Sequence, residues 1–374
     1  MFGPFSQNKP PEGQASLRVM IISPSERLRD LLPDILKEEN QMQVVATVDS
    51  EQTALNLLRR EGDGSVSIDV IILDLATLTR DSTALLTEFR TLSPKSKVIV
   101  LSSVSPDNAV RVLKILEKDA DDYLARPEDL QNREQMTRFT RELRQKILTL
   151  GTLARKIPAN DAAPTVSDNI SLRPVPKNFR PKVLAIASST GGPAALRDFF
   201  ARLKPSLPLG IPILLTQHMP ADFTRQMAVT LSEVSGLPCR ETQDQDTVKP
   251  DHIFVAPGDY HMTVAQERTT ILLRTNQDPP ENFCRPAADP MLRSVAKIYG
   301  SYALVAVLTG MGEDGLAGCK NIIAADGVVL AQDRESSAVW GMPGAVAKAG
   351  LCSELAPPGA LADHIVSLMK GSKA

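Results

Sequence analysis

Val183-Leu184-Ala185-Ile186-Ala187-Ser188-Ser189-Thr190-Gly191-Gly192-Pro193-Ala194-Ala195-Leu196 carries the deciding pattern. An unbroken apolar run of strand length passes through a Gly-rich turn into a segment with helical spacing. A strand that is apolar on both faces is covered by helices on both sides, which is the habit of parallel sheets. The same rhythm recurs through residues 182–372, with strands expected at Val183–Ala187, Ile213–Thr216, His252–Ala256, Thr270–Leu273, Ala303–Leu308 and Val328–Ala331. The fold class this implies is α/β, doubly wound and mainly parallel.

In an open sheet of this kind ligands bind outside the carboxyl ends of the strands. Ser189 stands at one such end. His218 closes Ile213-Leu214-Leu215-Thr216-Gln217, and Asp314 follows Ala303–Leu308 through Thr309-Gly310-Met311-Gly312-Glu313. Three strand ends can therefore bring a hydroxyl, an imidazole and a carboxylate together across long stretches of chain. A serine nucleophile needs a neutral imidazole to take its proton, a carboxylate to orient the ring, and donors for the oxyanion. Each residue also has a plainer reading: Ser189 or its neighbour Ser188 as a helix cap, His218 as a half-buried histidine, Asp314 as a turn former. A strand, Gly-rich turn and helix can also bind phosphate. Neither G-x-G-x-x-G nor a P-loop Lys occurs here, which argues against a nucleotide module.

Residues 17–150 show a second β-α alternation, with strands expected at Arg18–Ile22, Gln43–Thr47, Val70–Leu73, Lys97–Leu101 and Tyr123–Leu124. Beyond them Met136, Phe139, Leu143, Ile147 and Leu150 form one helical stripe. Arg133, Arg138, Arg141, Arg144 and Lys146 lie mostly off it, as solvated charges. Residues 151–181 are expected to be a Pro-rich linker, and residues 1–16 a disordered polar segment without a secretion signal.

At 374 residues the chain is long for one core, so two domains are expected. A formal net charge of −2 gives no reason to expect nucleic acid or an anionic membrane as partner. The four cysteines have no paired metal-ligand or redox spacing, and reduced thiols in a cytoplasm fit them. No metal or organic cofactor is expected for hydrolysis, because a Ser-His-Asp set supplies both nucleophile and base.

Ala187-Ser188-Ser189-Thr190-Gly191-Gly192, Gln217-His218-Met219-Pro220 with Phe223-Thr224, and Val255-Ala256-Pro257-Gly258-Asp259-Tyr260-His261-Met262 occur in that order. Leu308-Thr309-Gly310-Met311-Gly312-Glu313-Asp314-Gly315 and Trp340-Gly341-Met342-Pro343 follow. Together they resemble the bacterial chemotaxis protein-glutamate methylesterases, the CheB family, over residues 182–370. The resemblance implies hydrolysis of glutamate γ-methyl esters on the cytoplasmic helices of chemoreceptors, with deamidation of receptor glutamines. It assigns Ser189 as nucleophile, His218 as general base and then acid, Asp314 as orienting carboxylate, and the Met311 backbone N–H as oxyanion donor. The family commonly has His before the Arg-Pro pair that is here Arg285-Pro286, and this chain has Cys284. A regulatory scaffold with little turnover is the alternative, and the complete set of triad motifs argues against it.

Residues 17–150 resemble the response-regulator receiver domain, a flavodoxin-like fold with a five-stranded parallel sheet. Asp74 ends Asp69-Val70-Ile71-Ile72-Leu73-Asp74 at the phosphoacceptor position, and Ser102 and Tyr123 match the switch residues. A histidine kinase or another signalling protein is the implied partner. Yet Ser23-Pro24 stands where the family has an acidic pair, and Arg126 where it has Lys before Pro. A hydroxyl and a proline cannot replace two carboxylates around Mg²⁺, so a receiver not switched by ordinary Mg²⁺-dependent phosphorylation is expected, with Asp74 paired to Arg126.

Overall fold

The computed structural model describes residues 16–61, 67–78, 83–117, 119–155 and 170–370. Residues 1–15, nearly all of the expected polar tail, and residues 156–169, the middle of the expected linker, lie outside them.

Over residues 17–155 β1 (Leu17–Ile22), α1 (Glu26–Lys37), β2 (Met42–Val48), α2 (Glu51–Glu61), β3 (Val70–Asp74), α3 (Thr83–Leu92), β4 (Lys97–Ser102), α4 (Pro106–Leu116), β5 (Asp122–Ala125) and α5 (Arg133–Arg155) alternate. The sheet order is β2-β1-β3-β4-β5, parallel throughout, which is the flavodoxin-like order. Both Val70–Asp74 and Val98–Ser102 are wholly buried, as an apolar run covered on two faces should be. Helices start where their caps dictate: Ser25 accepts from the Leu28 N–H, and Ser105 caps α4 with Pro106 in its first turn.

Helix α5 departs from the expected pattern twice. It runs to Arg155, past the boundary expected at 150, and Arg155 binds Asp69 through Nε at 3.0 Å and Nη2 at 2.6 Å. Phe139, Leu143, Ile147 and Leu150 are buried as the stripe requires, but Lys146 is buried with them. Its ammonium pairs with the equally buried Asp122, so a residue read as solvated is part of the interior. A helical stripe counts apolar residues only, and cannot see a charge whose partner sits on another element.

In the second unit the elements are β6 (Val183–Ser188), α6 (Gly192–Leu203), β7 (Ile213–Gln217), α7 (Ala221–Ser235), β8 (Cys239–Glu241), β9 (Ile253–Val255), β10 (His261–Glu267), β11 (Thr270–Asn276), α8 (Ala288–Tyr299), β12 (Ala303–Val307), α9 (Leu316–Ala324), β13 (Val328–Gln332), α10 (Met342–Lys348), β14 (Glu354–Ala356) and α11 (Pro358–Lys370). Seven strands form one parallel sheet in the order β14-β13-β12-β6-β7-β9-β8. The strand expected at Thr270–Leu273 is not in it. It belongs to β11, which pairs antiparallel with β10 in a separate hairpin.

Val183, Ala185 and Ala187 of β6 share a core with Val305 and Val307 of β12 and with Leu292 and Val295 of α8. The alternate residues Leu184, Ile186 and Leu304 are equally buried, so the opposite face is covered too. Helices α6, α7 and α11 pack on one another as one layer, and α8, α9 and α10 as the other. The chain leaves β6 toward β7 on one side and returns on the other as β12. This places the topological switch point between β6 and β12, and the strand ends there open a crevice.

Removing one partner of the Lys146–Asp122 pair strands a buried charge, which costs about 3–5 kcal/mol. Lys146→Ala should therefore lower the stability of the unit holding α5 by that amount in urea unfolding followed by circular dichroism. Lys146→Ala combined with Asp122→Ala should recover most of the loss, and additive losses would show that the two groups do not couple.

Candidate active site

The ends of β6, β7 and β12 are laced together by main-chain hydrogen bonds before any side chain takes part. The Ser189 N–H donates to Thr309 O at 3.0 Å, the His218 N–H to Ser188 O at 3.1 Å, and the Leu308 N–H to Ala187 O at 2.8 Å. The two candidate serines then separate. Ser188 is fully buried and its Oγ donates to Gln217 Oε1 at 2.6 Å, whereas Ser189 lies in the crevice, 3.2 Å from His218 Nδ1. Gln217 holds the turn from beneath, its Nε2 donating to Ser189 O at 2.9 Å. Gly192 is required by that side chain, because a Cβ there would sit 2.0 Å from Gln217 Oε1. A Cβ on Gly310 would be 2.9 Å from Ser189 Cβ and 2.3 Å from Met342 Sδ. The loop after β12, with Met311 next along it, thus lies directly against the serine.

His218 Nε2 is 2.7 Å from Asp314 Oδ2. A carboxylate can only accept, so Nε2 carries the proton in the neutral ring and Nδ1 is left to accept from the Ser189 hydroxyl. Asp314 is buried but well supplied with donors. Its Oδ2 also accepts from the Ala288 N–H at 2.5 Å. Its Oδ1 accepts from the Asp289 N–H at 3.1 Å, the Gly315 N–H at 3.0 Å and Asn282 Nδ2 at 3.0 Å. Ala288 and Asp289 begin α8, so two of its unpaired N–H groups and its positive end face the carboxylate.

Burial alone would raise the Asp314 pKa, but the bonds from His218, Ala288 and Asp289 outweigh it and hold the group below its ordinary value. Burial of the His218 ring favours the neutral form. Cys284, by charge and by a hydrogen bond, and Asp314 both favour the protonated form, and the balance lies well above the ordinary imidazole value. Asp289, another buried carboxylate, is raised by burial, although Gly318 N–H and Asn282 Nδ2 donate to it at 2.6 and 3.1 Å.

Ser189, His218 and Asp314 are thus brought together from three strand ends. Cys284, which stands where the family commonly has His, lies beside the imidazole. Sequence reading missed Asn282, Gln217 and Asp289. Gln217 could have been found, since it sits in the strand end that carries His218. Asn282 has no signal, because its place depends on a loop that only the tertiary structure closes.

Asp74 sits at the end of β3 in the other unit, buried. Ser23 Oγ donates to its Oδ2 at 2.7 Å, Arg126 Nη1 approaches the same oxygen at 3.4 Å, and the Ala76 N–H donates to Oδ1 at 3.1 Å. The ion pair with Arg126 is the one anticipated. Pro24 offers no side-chain donor atom for Mg²⁺, and Ser23 only a neutral hydroxyl that already donates to Asp74, so these residues do not fit the ion. Among the described residues there is no group of three His, Cys, Asp or Glu side chains that could hold a metal. Nor is any helix among them long and apolar enough to cross a membrane.

A doubly wound α/β domain carrying a Ser-His-Asp constellation at its switch point defines a serine-hydrolase type of protein. Residues 184–365 match the family described as CheB methylesterase, and residues 19–138 match the response regulator receiver domain. A protein-glutamate methylesterase/protein-glutamine glutaminase of Rhodospirillum rubrum is 41% identical over 94% of each chain. One of Azospirillum brasilense is 38% identical over 92% of this chain and 91% of its own. The Thermotoga maritima CheB methylesterase catalytic domain superposes with a TM-score of 0.48 and 34% identity, covering 51% of this chain and all of that one. The chain belongs to the CheB methylesterase family.

A general base must be neutral to act, so kcat/KM should rise as pH passes upward through the raised His218 pKa. Cys284→Ala removes one of the groups holding that value up. The acidic limb of the kcat/KM profile should then move to lower pH, with the variant relatively more active on the acid side. A limb that stays in place or moves upward would show that Cys284 does not tune the imidazole.

Proposed function

We propose that this protein hydrolyses glutamate γ-methyl esters on chemoreceptor cytoplasmic helices, releasing methanol, and deamidates receptor glutamines by the same route. The observation that carries the reading is the unbroken chain Ser189 Oγ, His218 and Asp314, with separations of 3.2 and 2.7 Å. Ser189 attacks the ester carbonyl as His218 Nδ1 takes its proton. Asp314 holds the ring through Nε2 and stabilises the imidazolium. The Met311 backbone N–H, next to the Gly310 that lies against Ser189, is the donor this reading assigns to the oxyanion. His218 then returns the proton to the leaving methanol, or to ammonia from a glutamine, and water completes the cycle through an acyl-serine. The buried donors around Asp314 matter because an ion left unsatisfied there would protonate and release the ring.

Ser189→Ala should lower methanol release from methylated receptor by a factor of about 10⁴ or more, with the circular dichroism spectrum unchanged. His218→Ala should be comparably damaging, because triad members act as a unit. Activity retained by Ser189→Ala and lost by Ser188→Ala would reverse the assignment.

The receiver unit takes its signal, in this reading, from a kinase or another signalling protein by binding rather than by Mg²⁺-dependent phosphorylation. What supports this is the surrounding of Asp74 by Ser23 and Arg126, with a hydroxyl and a proline at 23 and 24 where two carboxylates would hold Mg²⁺. A small-molecule phosphodonor with Mg²⁺ should leave Asp74 unlabelled in intact-mass measurements. Ser23→Asp with Pro24→Asp and Arg126→Lys should restore labelling. Stable labelling of the unaltered chain, with a gain in esterase activity, would overturn the reading.

A further inference from the structure

The loop Glu281-Asn282-Phe283-Cys284-Arg285 is tied to the triad on both sides of one exposed ring. Asn282 Nδ2 donates to Asp314 at 3.0 Å, and Cys284 stands beside His218, where it favours the protonated ring. Phe283 lies between them and is 66% exposed, the most open of the large apolar residues described. Water-exposed phenylalanine at the edge of a catalytic crevice is already a marked choice. The backbone makes it more so. Asn282 and Phe283 adopt φ of +50° and +63°, a region that bulky side chains enter only at a cost.

That conformation is enforced from several directions. Glu281 and Cys284 exchange two main-chain hydrogen bonds, with the Glu281 N–H donating to Cys284 O at 3.2 Å and the Cys284 N–H to Glu281 O at 2.8 Å. Glu281 is held by Arg293 of α8 at 2.5 and 2.8 Å. Arg285 reaches Asp259 Oδ1 at 2.7 Å and fastens the loop that carries Tyr260, which is 39% exposed. The Gly258 N–H in that second loop donates to Thr224 Oγ1 at 3.0 Å, on the helix that follows His218. Two half-open aromatic rings are therefore mounted on two loops fixed to each other and to the elements bearing the imidazole and its carboxylate.

A rigid aromatic at the rim of a site loses little entropy when it is covered, so such groups contribute most to macromolecular recognition. We infer that Phe283, supported by Tyr260, is a docking residue for the methylated receptor, covered by the apolar side chains that flank the modified glutamate. The inference rests on the proposed receptor esterase activity and adds to it a determinant of which substrates are held. Continuity with the triad points to the substrate as the occupant. Residue 282 bonds the triad carboxylate and residue 284 stands beside the imidazole, so a chain that covers Phe283 lies at the border of the same crevice.

The test uses the full chain, with methanol release measured from methylated receptor in membranes and from N-acetylglutamate γ-methyl ester. Phe283→Ala should raise KM for the receptor, and should lower the ratio of kcat/KM on receptor to kcat/KM on the small ester about ten- to a hundredfold, as loss of a buried phenyl ring predicts. Phe283→Leu should recover much of the ratio. A ratio unchanged by Phe283→Ala, including a parallel fall on both substrates, would overturn the inference by making the ring a support for the loop. Loss of self-association on size exclusion with an unchanged ratio would assign the ring to a contact between copies and overturn it too. Wild-type protein that cleaves the small ester but not the receptor would overturn the receptor reading itself, before any variant is compared.

Discussion

A buried carboxylate that keeps its charge is the constraint on which the second unit turns. Asp314 is out of reach of water, and an isolated ion there would take up a proton. Three backbone N–H groups, one amide side chain and the imidazole keep it ionised. Two of those N–H groups exist only because α8 begins at Ala288, and they point at Asp314 only because α8 packs against β6 and β12. The orientation of His218, and with it the basicity of the atom facing Ser189, follows from that arrangement. Since the donors are neutral amides, the negative charge is kept available for the imidazolium that forms during reaction.

Bringing the serine to that pair depends on close approach. The crevice is assembled from strand ends whose spacing the sheet sets, so what remains variable is how near the loops come. Gly192 lets the turn settle on Gln217, and Gly310 lets the loop after β12 touch Ser189. Both contacts are shorter than any side chain could permit. The glycines are thus determinants of geometry, and the polar residues around them inherit their positions.

Legibility in the sequence follows the same division. The parallel core was readable because Val183–Ala187, Ile213–Thr216 and Ala303–Leu308 are apolar on both faces, which few other structures tolerate. The triad was readable because its members sit at the ends of those runs. Short strands such as Cys239–Glu241 and Glu354–Ala356 were not, since three residues carry no period and owe their state to a neighbour already in place. Thr270–Leu273 was read as a strand, but its place in a separate antiparallel hairpin was not legible, because local pattern says nothing about pairing partner. Lys146 and Asn282 were missed for one reason: each is explained by a carboxylate on a distant element, Asp122 and Asp314.

Each unit places a buried aspartate at or beyond the end of an inner strand, Asp74 as the last residue of β3 and Asp314 in the loop after β12, and the two differ in what satisfies them. Asp314 is satisfied by neutral N–H groups and a titratable ring, so its charge can respond when a proton moves. Asp74 is satisfied by a hydroxyl and by the guanidinium of Arg126, which keeps its proton at any ordinary pH. The guanidinium neutralises the carboxylate at any ordinary pH, and Ser23 and Pro24 bring no further negative charge beside it. Phosphoryl transfer to Asp74 through Mg²⁺ would require the metal to bind without the two acidic residues that normally hold it. Two losses in one pocket, compensated by one cation, describe a receiver whose interior is stable without the reaction for which its fold is known.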